Sequence, residues 1–127
     1  MQYIGKINLQ IYRAVTEDIR TDDVVLSDTQ LKHIQERHPE DYEKFSQYMQ
    51  LVLEEPDYIL ESKRPFTAIV LKEVVDDDKR FKLILRLQTS HDPAGFVNYV
   101  ITFQHVEQKR YRRYLKNAKI LYQREGM

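Results

Sequence analysis

Histidine and arginine are concentrated in one short segment, HIQERHP at residues 33–39. Imidazole is the usual general acid or base at neutral pH because its unperturbed pKa is about 6.5. On a helix, His33 and Arg37 are four positions apart and share a face, whereas His38 falls on the apolar side. Pro39 disfavours helical geometry at His38, so a bend there would let the two histidines act together. The alternative is a buried structural His38 beside a surface His33.

A second polar set lies on two predicted strands, residues 81–88 and 96–104. Alternation along these strands puts four polar side chains on one face: Arg86, Gln88, Asn98 and Thr102. Lys72 interrupts the apolar run of the preceding strand, which predicts a cation directed at the same surface. The same alternation turns Tyr99 toward the core. Cations with hydroxyl and amide donors on a rigid sheet suit the developing charge of a phosphate, but the solvent face of an ordinary antiparallel sheet has a similar composition.

Charge is distributed unevenly in a chain whose 20 basic and 20 acidic residues cancel. Residues 16–61 hold 13 acids and 4 bases, whereas residues 105–125 hold 7 bases and 2 acids. A neutral protein exerts little long-range attraction on nucleic acid, so any such binding must be local, and the basic tail with Arg110 and Arg113 would supply it. A solvated helix face that balances the acidic half would explain the same pattern.

Composition excludes several functional classes. The 127 residues suit a single domain, which we expect to span residues 1–127. The absence of cysteine excludes disulfides, thiolate metal sites and cysteine nucleophiles, and three glycines leave no phosphate-cradling glycine loop. The four histidines lack metal-ligand spacing, so no metal site is predicted. No apolar stretch is long enough for a membrane span or a signal peptide, and these features suit a cytoplasmic protein without membrane contacts.

The elements that must position these residues form an α+β pattern. Strand patterns cover residues 3–11 and 24–26, and Ser27 with Gln30 forms a capping box that starts a helix over residues 28–37. A second helix is expected from Pro39 until Pro56 stops it. Four strands follow at residues 58–62, 66–75, 81–88 and 96–104, then a basic helix at 107–117 and an edge strand at 119–123. The sequence therefore predicts helices packed on one face of an antiparallel sheet.

Several segments in this order resemble a known family. They are HIQERHP on the first helix, PDYIL after the second, TAIVLKEV and RFKLILRL on paired strands, NYVITF on the next strand, and KRYRRYLKNAKILY near the end. Together they resemble the phage-associated nuclease domains of the barnase–EndoU–colicin–RelE superfamily, which occur in phages and mobile elements. The resemblance covers about residues 24–123.

The resemblance implies a toxin-like endoribonuclease that uses no metal and no cofactor. Its fold would be two N-terminal helices on an antiparallel sheet of about four strands, here with an extra N-terminal strand and a short C-terminal basic helix. The site would lie on the sheet face away from the helices. Such enzymes make the RNA 2′-hydroxyl attack its own phosphate and leave a 2′,3′-cyclic phosphate, with RNA (tRNA in some members) as substrate and an inhibitor or immunity protein as a further partner.

The resemblance also implies roles for individual residues. By position, His33 and His38 match the family's helix histidines, one of which would act as acid or base, with Lys72 and Arg86 as the stabilisers of phosphate charge and Thr102 as a phosphate donor. Five further polar residues are expected to bind the substrate: Arg37, Gln88, Asn98, Arg110 and Arg113. The residues alone leave open which histidine is the base.

Two other functional classes fit the same sequence. In the first, a non-catalytic module of this fold binds RNA or an acidic protein through residues 109–119. In the second, the acidic half mimics RNA in an inhibitor. The enzyme hypothesis requires Lys72, Arg86, Thr102 and a histidine to converge within one phosphate's reach, whereas a binding module does not.

Overall fold

A computed structural model describes residues 1–37 and 39–126. Its strands are β1 (Gln2–Lys6), β2 (Asp23–Leu26), β3 (Tyr58–Glu61), β4 (Thr67–Val74), β5 (Lys79–Arg86), β6 (Asn98–His105) and β7 (Ile120–Gln123). Its helices are α1 (Leu9–Tyr12), α2 (Asp28–Arg37), α3 (Pro39–Phe45), α4 (Met49–Glu54) and α5 (Gln108–Asn117), with short 3₁₀ turns at Ser46–Tyr48 and Val75–Asp77. Most predicted elements lie within about two residues of these bounds.

The strands form one mixed sheet in the order β1-β2-β6-β5-β4-β3-β7. The described residues therefore contain seven strands in the sheet, where about four were predicted. The α+β class is confirmed, but the expectation of a purely antiparallel sheet is wrong because β2 runs parallel to β6. The central antiparallel strands β4, β5 and β6 match the predicted meander.

The N-terminal strand is shorter than its alternating pattern predicted. It ends at Lys6, and Asn8 then starts α1 by accepting a hydrogen bond from the Gln10 backbone N–H at 3.0 Å. Tyr12 is fully buried and donates from its hydroxyl to the Leu53 carbonyl at 2.7 Å. A period of two and a short helix both bury a few apolar residues, so alternation alone does not distinguish them, and the Asn8 cap favours the helix.

The second predicted helix is interrupted. The segment from Pro39 to Glu54 consists of α3, the 3₁₀ turn at Ser46–Tyr48 and α4. Tyr48 in this turn stacks on Phe81 of β5, with ring centroids 4.9 Å apart. The turn therefore lies where the helical layer meets the aromatic part of the core.

A β-bulge in β6 controls which side chains face the core. Ile84 lies opposite Thr102, but Leu85 lies opposite Val100, so Ile101 is an extra residue. Because side chains alternate along a strand, one extra residue reverses the alternation. Asn98 therefore lies on the same face as Val100, which is the face that carries the main core. The expectation that Tyr99 faces the core is wrong, since Tyr99 lies opposite Arg86 on the other face.

The sheet is covered unequally on its two faces. One face carries the main core, with the alternating residues Phe81, Leu83, Leu85 and Leu87 all fully buried, as predicted. On the other face, α5 covers a smaller apolar cluster around Leu60, Leu71, Val106 and Tyr111. Within residues 1–37 and 39–126, no helix has the length and apolar character needed to span a bilayer.

Candidate active site

A cleft of about 520 Å³ lies on the sheet face that α5 covers only in part. We call it the basic cleft. Its polar lining residues are Gln30, His33 and Arg37 of α2 on one side, and Ser62 and Arg64 of the β3–β4 loop on the opposite side. The sheet contributes Lys82, Thr102 and Gln104, and its apolar lining is Ile34, Ile84 and Ile101.

Helix α2 forms one wall because β2 leaves much of the β6 edge uncovered. The β2–β6 pairing is limited to Val24 with Asn98 and Val25 with Tyr99, and α2 then packs against β6. Ser27 begins the helix by accepting from the Gln30 backbone N–H at 3.1 Å, which confirms the predicted cap. Ile34 is only 2% exposed, and its burial fixes the rotation of α2.

That rotation brings His33 and Arg37 to the basic cleft together. Both side chains line it, as their i,i+4 spacing predicted, and both residues are exposed to solvent. The exposed imidazole can exchange protons with a bound molecule, and the guanidinium beside it can pair with a phosphate.

Lys82 supplies a cation from the floor of the cleft. Its Nζ donates to the Tyr114 hydroxyl at 3.1 Å and lies 4.7 Å from the centre of that ring. The Arg110 guanidinium lies 5.6 Å from the same ring. Tyr114 thus joins the basic helix α5 to the cleft, and it holds Lys82 without neutralising its charge.

The β3–β4 loop forms the opposite rim. Ser62 accepts from the Arg64 backbone N–H at 3.1 Å, which folds the loop over the end of β3. Arg64 is exposed and lines the cleft.

The lining is cationic. Arg37, Arg64 and Lys82 line the cleft together with His33, and none of the lining residues that the structure describes carries a carboxylate. Hydroxyl and amide groups from Thr102 and Gln104 add neutral donors. This arrangement suits an anionic ligand with a proton-transfer step nearby, such as a phosphodiester.

Comparison with known families agrees with this chemistry. A family model described as phage-Barnase-EndoU-ColicinE5/D-RelE like nuclease2 matches residues 2–123. The chain belongs to this nuclease family. The resemblance of residues 24–123 to such phage-associated nucleases is therefore confirmed, and the match extends to the N-terminal strand. No curated protein and no solved structure gave a significant match.

Among the predicted catalytic residues of this nuclease-family chain, His33 and Thr102 both line the basic cleft. Arg37, expected to bind substrate, lies beside them. Arg110 contacts the cleft indirectly through Tyr114, and Arg113 is exposed on the same helix. His38 lies outside the described residues.

Lys72 lies on the other face of the sheet. It is opposite Phe81, whose ring packs among Phe45 and Phe103 in the main core. Its Nζ pairs with Asp57 at 3.2 Å, and Asp57 also accepts from Arg124 at 2.8 Å and from the Glu73 backbone N–H at 2.8 Å. The expectation that Lys72 shares a surface with Arg86 is wrong, because a residue four positions from Ala68 keeps the same side of a strand.

Arg86 shares the face of the cleft but is engaged elsewhere. Its two terminal nitrogens donate to the Asp92 carboxylate at 3.2 and 2.9 Å. Asp92 also accepts from the Thr89 backbone N–H at 2.7 Å. The Thr89 N–H, followed by Arg86, holds the pKa of Asp92 below its usual value. Arg86 thereby anchors the β5–β6 connection, residues 87–97.

Gln88 and Asn98 are buried together away from the lining residues. Asn98 accepts from the Gln88 backbone N–H at 2.7 Å, and its amide donates to the carbonyls of Thr21 at 2.7 Å and Asp23 at 3.0 Å. These bonds attach the N-terminal segment to the sheet. Asn98 is fully buried, so its hydrogen bonds stabilise the fold.

Five polar lining residues were not among the predicted site residues: Gln30, Ser62, Arg64, Lys82 and Gln104. Lys82 and Arg86 are four positions apart and lie on the same polar face of β5. The alternation along the strand could therefore have identified Lys82 as a candidate site residue. Gln104 follows Thr102 by two positions and could have been found in the same way. Arg64 lies in a loop without periodicity, and no local pattern predicts where it points.

Proposed function

We propose that the basic cleft is the active site of an endoribonuclease. The reaction is attack of the RNA 2′-hydroxyl on the adjacent phosphorus, which gives a 2′,3′-cyclic phosphate and a free 5′-hydroxyl. The proposal is carried by one observation, that five polar residues of a nuclease-family chain line the same cleft. These residues are His33, Arg37, Arg64, Lys82 and Thr102.

The reaction needs two proton transfers and charge stabilisation. A base removes the 2′-hydroxyl proton, and an acid protonates the departing 5′-oxygen. His33 is the described lining residue best suited to one of these transfers. Lys82 and the two arginines stabilise the added negative charge on the phosphorane, and Thr102 donates a hydrogen bond to a non-bridging oxygen.

The location of the cleft supports this assignment. It lies on a face of the sheet opposite the main core, where rigid strands position Lys82 and Thr102 on neighbouring strands. The adjacent helix α5 adds exposed cations for flanking phosphates.

The test is cleavage of mixed RNA by the purified protein, with EDTA in a parallel arm. His33→Gln should lower the cleavage rate about 100-fold, which is the lower range for loss of a general acid or base. Lys82→Met should lower it by a similar factor, about 100-fold, because it removes one stabiliser of the developing charge.

Lys32→Gln is the matched control. Lys32 is exposed next to His33 on α2, lies near Glu36 and does not line the cleft. It should cleave at the wild-type rate. Retention of full activity by a folded His33→Gln variant would contradict the proposed site, and products with a linear phosphate would contradict the proposed chemistry.

A non-catalytic RNA-binding module is the second candidate. It is favoured by one observation: the expected convergence of Lys72, Arg86, Thr102 and a histidine does not occur, because Lys72 and Arg86 are held in ion pairs with Asp57 and Asp92 outside the cleft. In that case the folded protein binds single-stranded RNA with salt-dependent affinity and leaves it intact.

A further inference from the structure

Two aromatic rings lie beside the basic cleft on the same side of the sheet. Phe66 and His91 stack with an interplanar angle of 19° and centroids 6.2 Å apart. We call this pair the aromatic shelf. The Arg86 guanidinium lies 5.5 Å from the Phe66 ring centre.

The strand register places the shelf next to the cleft. Ile84 lines the cleft, and Arg86 is the next residue on the same face of β5. The β3–β4 loop also connects the cleft to the shelf, since Arg64 lines the cleft and Phe66 of the shelf follows two residues later. A chain bound along this face would therefore pass from the cleft to the shelf.

The backbone holds Phe66 in an unusual conformation. Its φ is +55°, which is a sterically costly value for a bulky side chain. The Leu87 N–H donates to the Phe66 carbonyl at 2.8 Å and secures the residue against the end of β5. Such strain persists where the surrounding structure imposes it, and it is concentrated at ligand sites.

The loop bearing His91 is also fixed. Asp92 joins it to Arg86, and Asp18 accepts from the Ser90 hydroxyl at 2.6 Å. The exposed His91 ring is therefore presented on an anchored loop.

We propose that the aromatic shelf is a nucleobase-binding subsite for single-stranded RNA whose phosphate occupies the basic cleft. The inference rests on the proposed function, because the cleft defines which phosphate the base adjoins. A flat ring system stacks on Phe66 and His91 whatever its sequence, whereas a base inside a duplex is already stacked and paired. The subsite therefore selects unpaired RNA with little preference among bases.

The test uses a short single-stranded RNA that carries 2-aminopurine and 2′-O-methyl groups, which prevent cleavage. Stacking quenches 2-aminopurine fluorescence, so wild-type protein should quench it at one position along the RNA. Phe66→Leu and His91→Ala should each reduce the quench and weaken binding about tenfold. Annealing the RNA to its complement should remove the quench.

Phe96→Leu is the control, because Phe96 is an exposed aromatic residue in the same β5–β6 connection. It should leave the quench unchanged. No quench with wild-type protein, or an equal quench in the folded Phe66→Leu and His91→Ala variants, would overturn the subsite. If Phe66→Leu does not fold, His91→Ala decides the question.

Cleavage of unmodified RNA is measured in parallel to separate the two proposals. Normal cleavage without a quench would contradict the proposed nucleobase subsite and would support the proposed nuclease activity. A quench that depends on Phe66, without cleavage of any RNA, would contradict the proposed nuclease activity and would show that the shelf binds single-stranded RNA. A wild-type protein that neither binds nor cleaves RNA removes both.

Discussion

Lysine residues at positions 72 and 82 differ in role although each lies on a central strand. Lys82 faces the cleft and contacts an aromatic ring, so its charge remains available to a ligand. Lys72 faces the other way and compensates the charge of Asp57, a carboxylate that is only 1% exposed. The partner, more than the residue type, decides which lysine can act on a substrate.

Substitution of Lys72 should therefore destabilise the protein without removing its chemistry. In Lys72→Met, Asp57 keeps Arg124, which is half exposed, and loses its better buried cation. We expect the free energy of unfolding to fall by about 2–3 kcal/mol, somewhat less than the loss of a sole buried partner. Denaturant titration measures this change, and the activity per folded molecule should stay at the wild-type level.

Lys44→Met provides the comparison for that experiment. Lys44 pairs with Glu40 on the surface of α3, and such exposed pairs contribute little to stability. A Lys72→Met variant as stable as Lys44→Met but inactive would show that Lys72 is catalytic after all.

At the scale of elements, helix α5 has two chemically different sides. Its apolar side, with Tyr111 and Leu115, packs on the sheet, and its other side exposes arginines and lysines. Tyr114 links this helix to Lys82, and the guanidinium of Arg110, which lies 5.6 Å from the Tyr114 ring, is the α5 cation connected to the cleft in this way.

Removal of single α5 cations should alter the salt dependence of RNA binding. For single strands, log Kd changes with log salt concentration by about 0.7 per neutralised phosphate. Arg110→Gln and Arg113→Gln should each lower this slope by about that amount, in fluorescence titrations over a range of salt concentrations. Arg13→Gln, at an exposed arginine that follows α1, should keep the wild-type slope. Identical slopes in all three variants would place the RNA away from α5.

At the scale of the whole molecule, one set of bonds joins distant parts of the chain. The Asn98 amide donates a hydrogen bond to the Thr21 carbonyl in the segment before β2. The Arg20 backbone N–H donates to the Gln88 carbonyl at 2.9 Å, and the Ser90 hydroxyl donates to the Asp18 carboxylate. The N-terminal segment, the β5–β6 connection and the start of β6 are therefore held together beside the aromatic shelf.

Acid should loosen this junction. The Thr89 backbone N–H lowers the pKa of Asp92, and the Ser90 hydroxyl followed by its backbone N–H lowers that of Asp18. A carboxyl whose pKa is lower in the folded state stabilises above its unfolded pKa of about 3.9 and loses this contribution as the pH falls through the folded value. The free energy of unfolding should therefore decline below about pH 4.

Asp92→Asn tests the source of that decline. Compared with the wild type by denaturant titration, the variant should be less stable at neutral pH, and the difference should shrink as the pH falls below the folded pKa of Asp92. A stability difference that stays constant from neutral to strongly acidic pH would show that the Asp92 carboxylate is not responsible.

The local pattern of the chain was sufficient for much of the fold. The α+β class, the start of α2 at its Ser27 cap, the buried face of β5 and the basic helix α5 were all predictable, because periodicity and capping act over a few neighbouring residues. The shared face of His33 and Arg37 follows from helix geometry in the same way. The parallel pairing of β2 with β6 joins distant segments, and local periodicity could not specify it.

The membership of the site was decided by tertiary structure. The sequence by itself determined most of the element types, with the segment after Lys6 and the interruption at Ser46–Tyr48 as exceptions, and the side chains that each element could present. The bulge at Ile101 then separated Asn98 from Thr102, the buried Asp57 engaged Lys72, and a loop without periodicity brought Arg64 to the cleft. The bulge and the ion pair depend on contacts between residues far apart in the chain, which the alternation within one strand does not contain. The side of β4 that Lys72 takes, in contrast, follows from its spacing of four residues from Ala68.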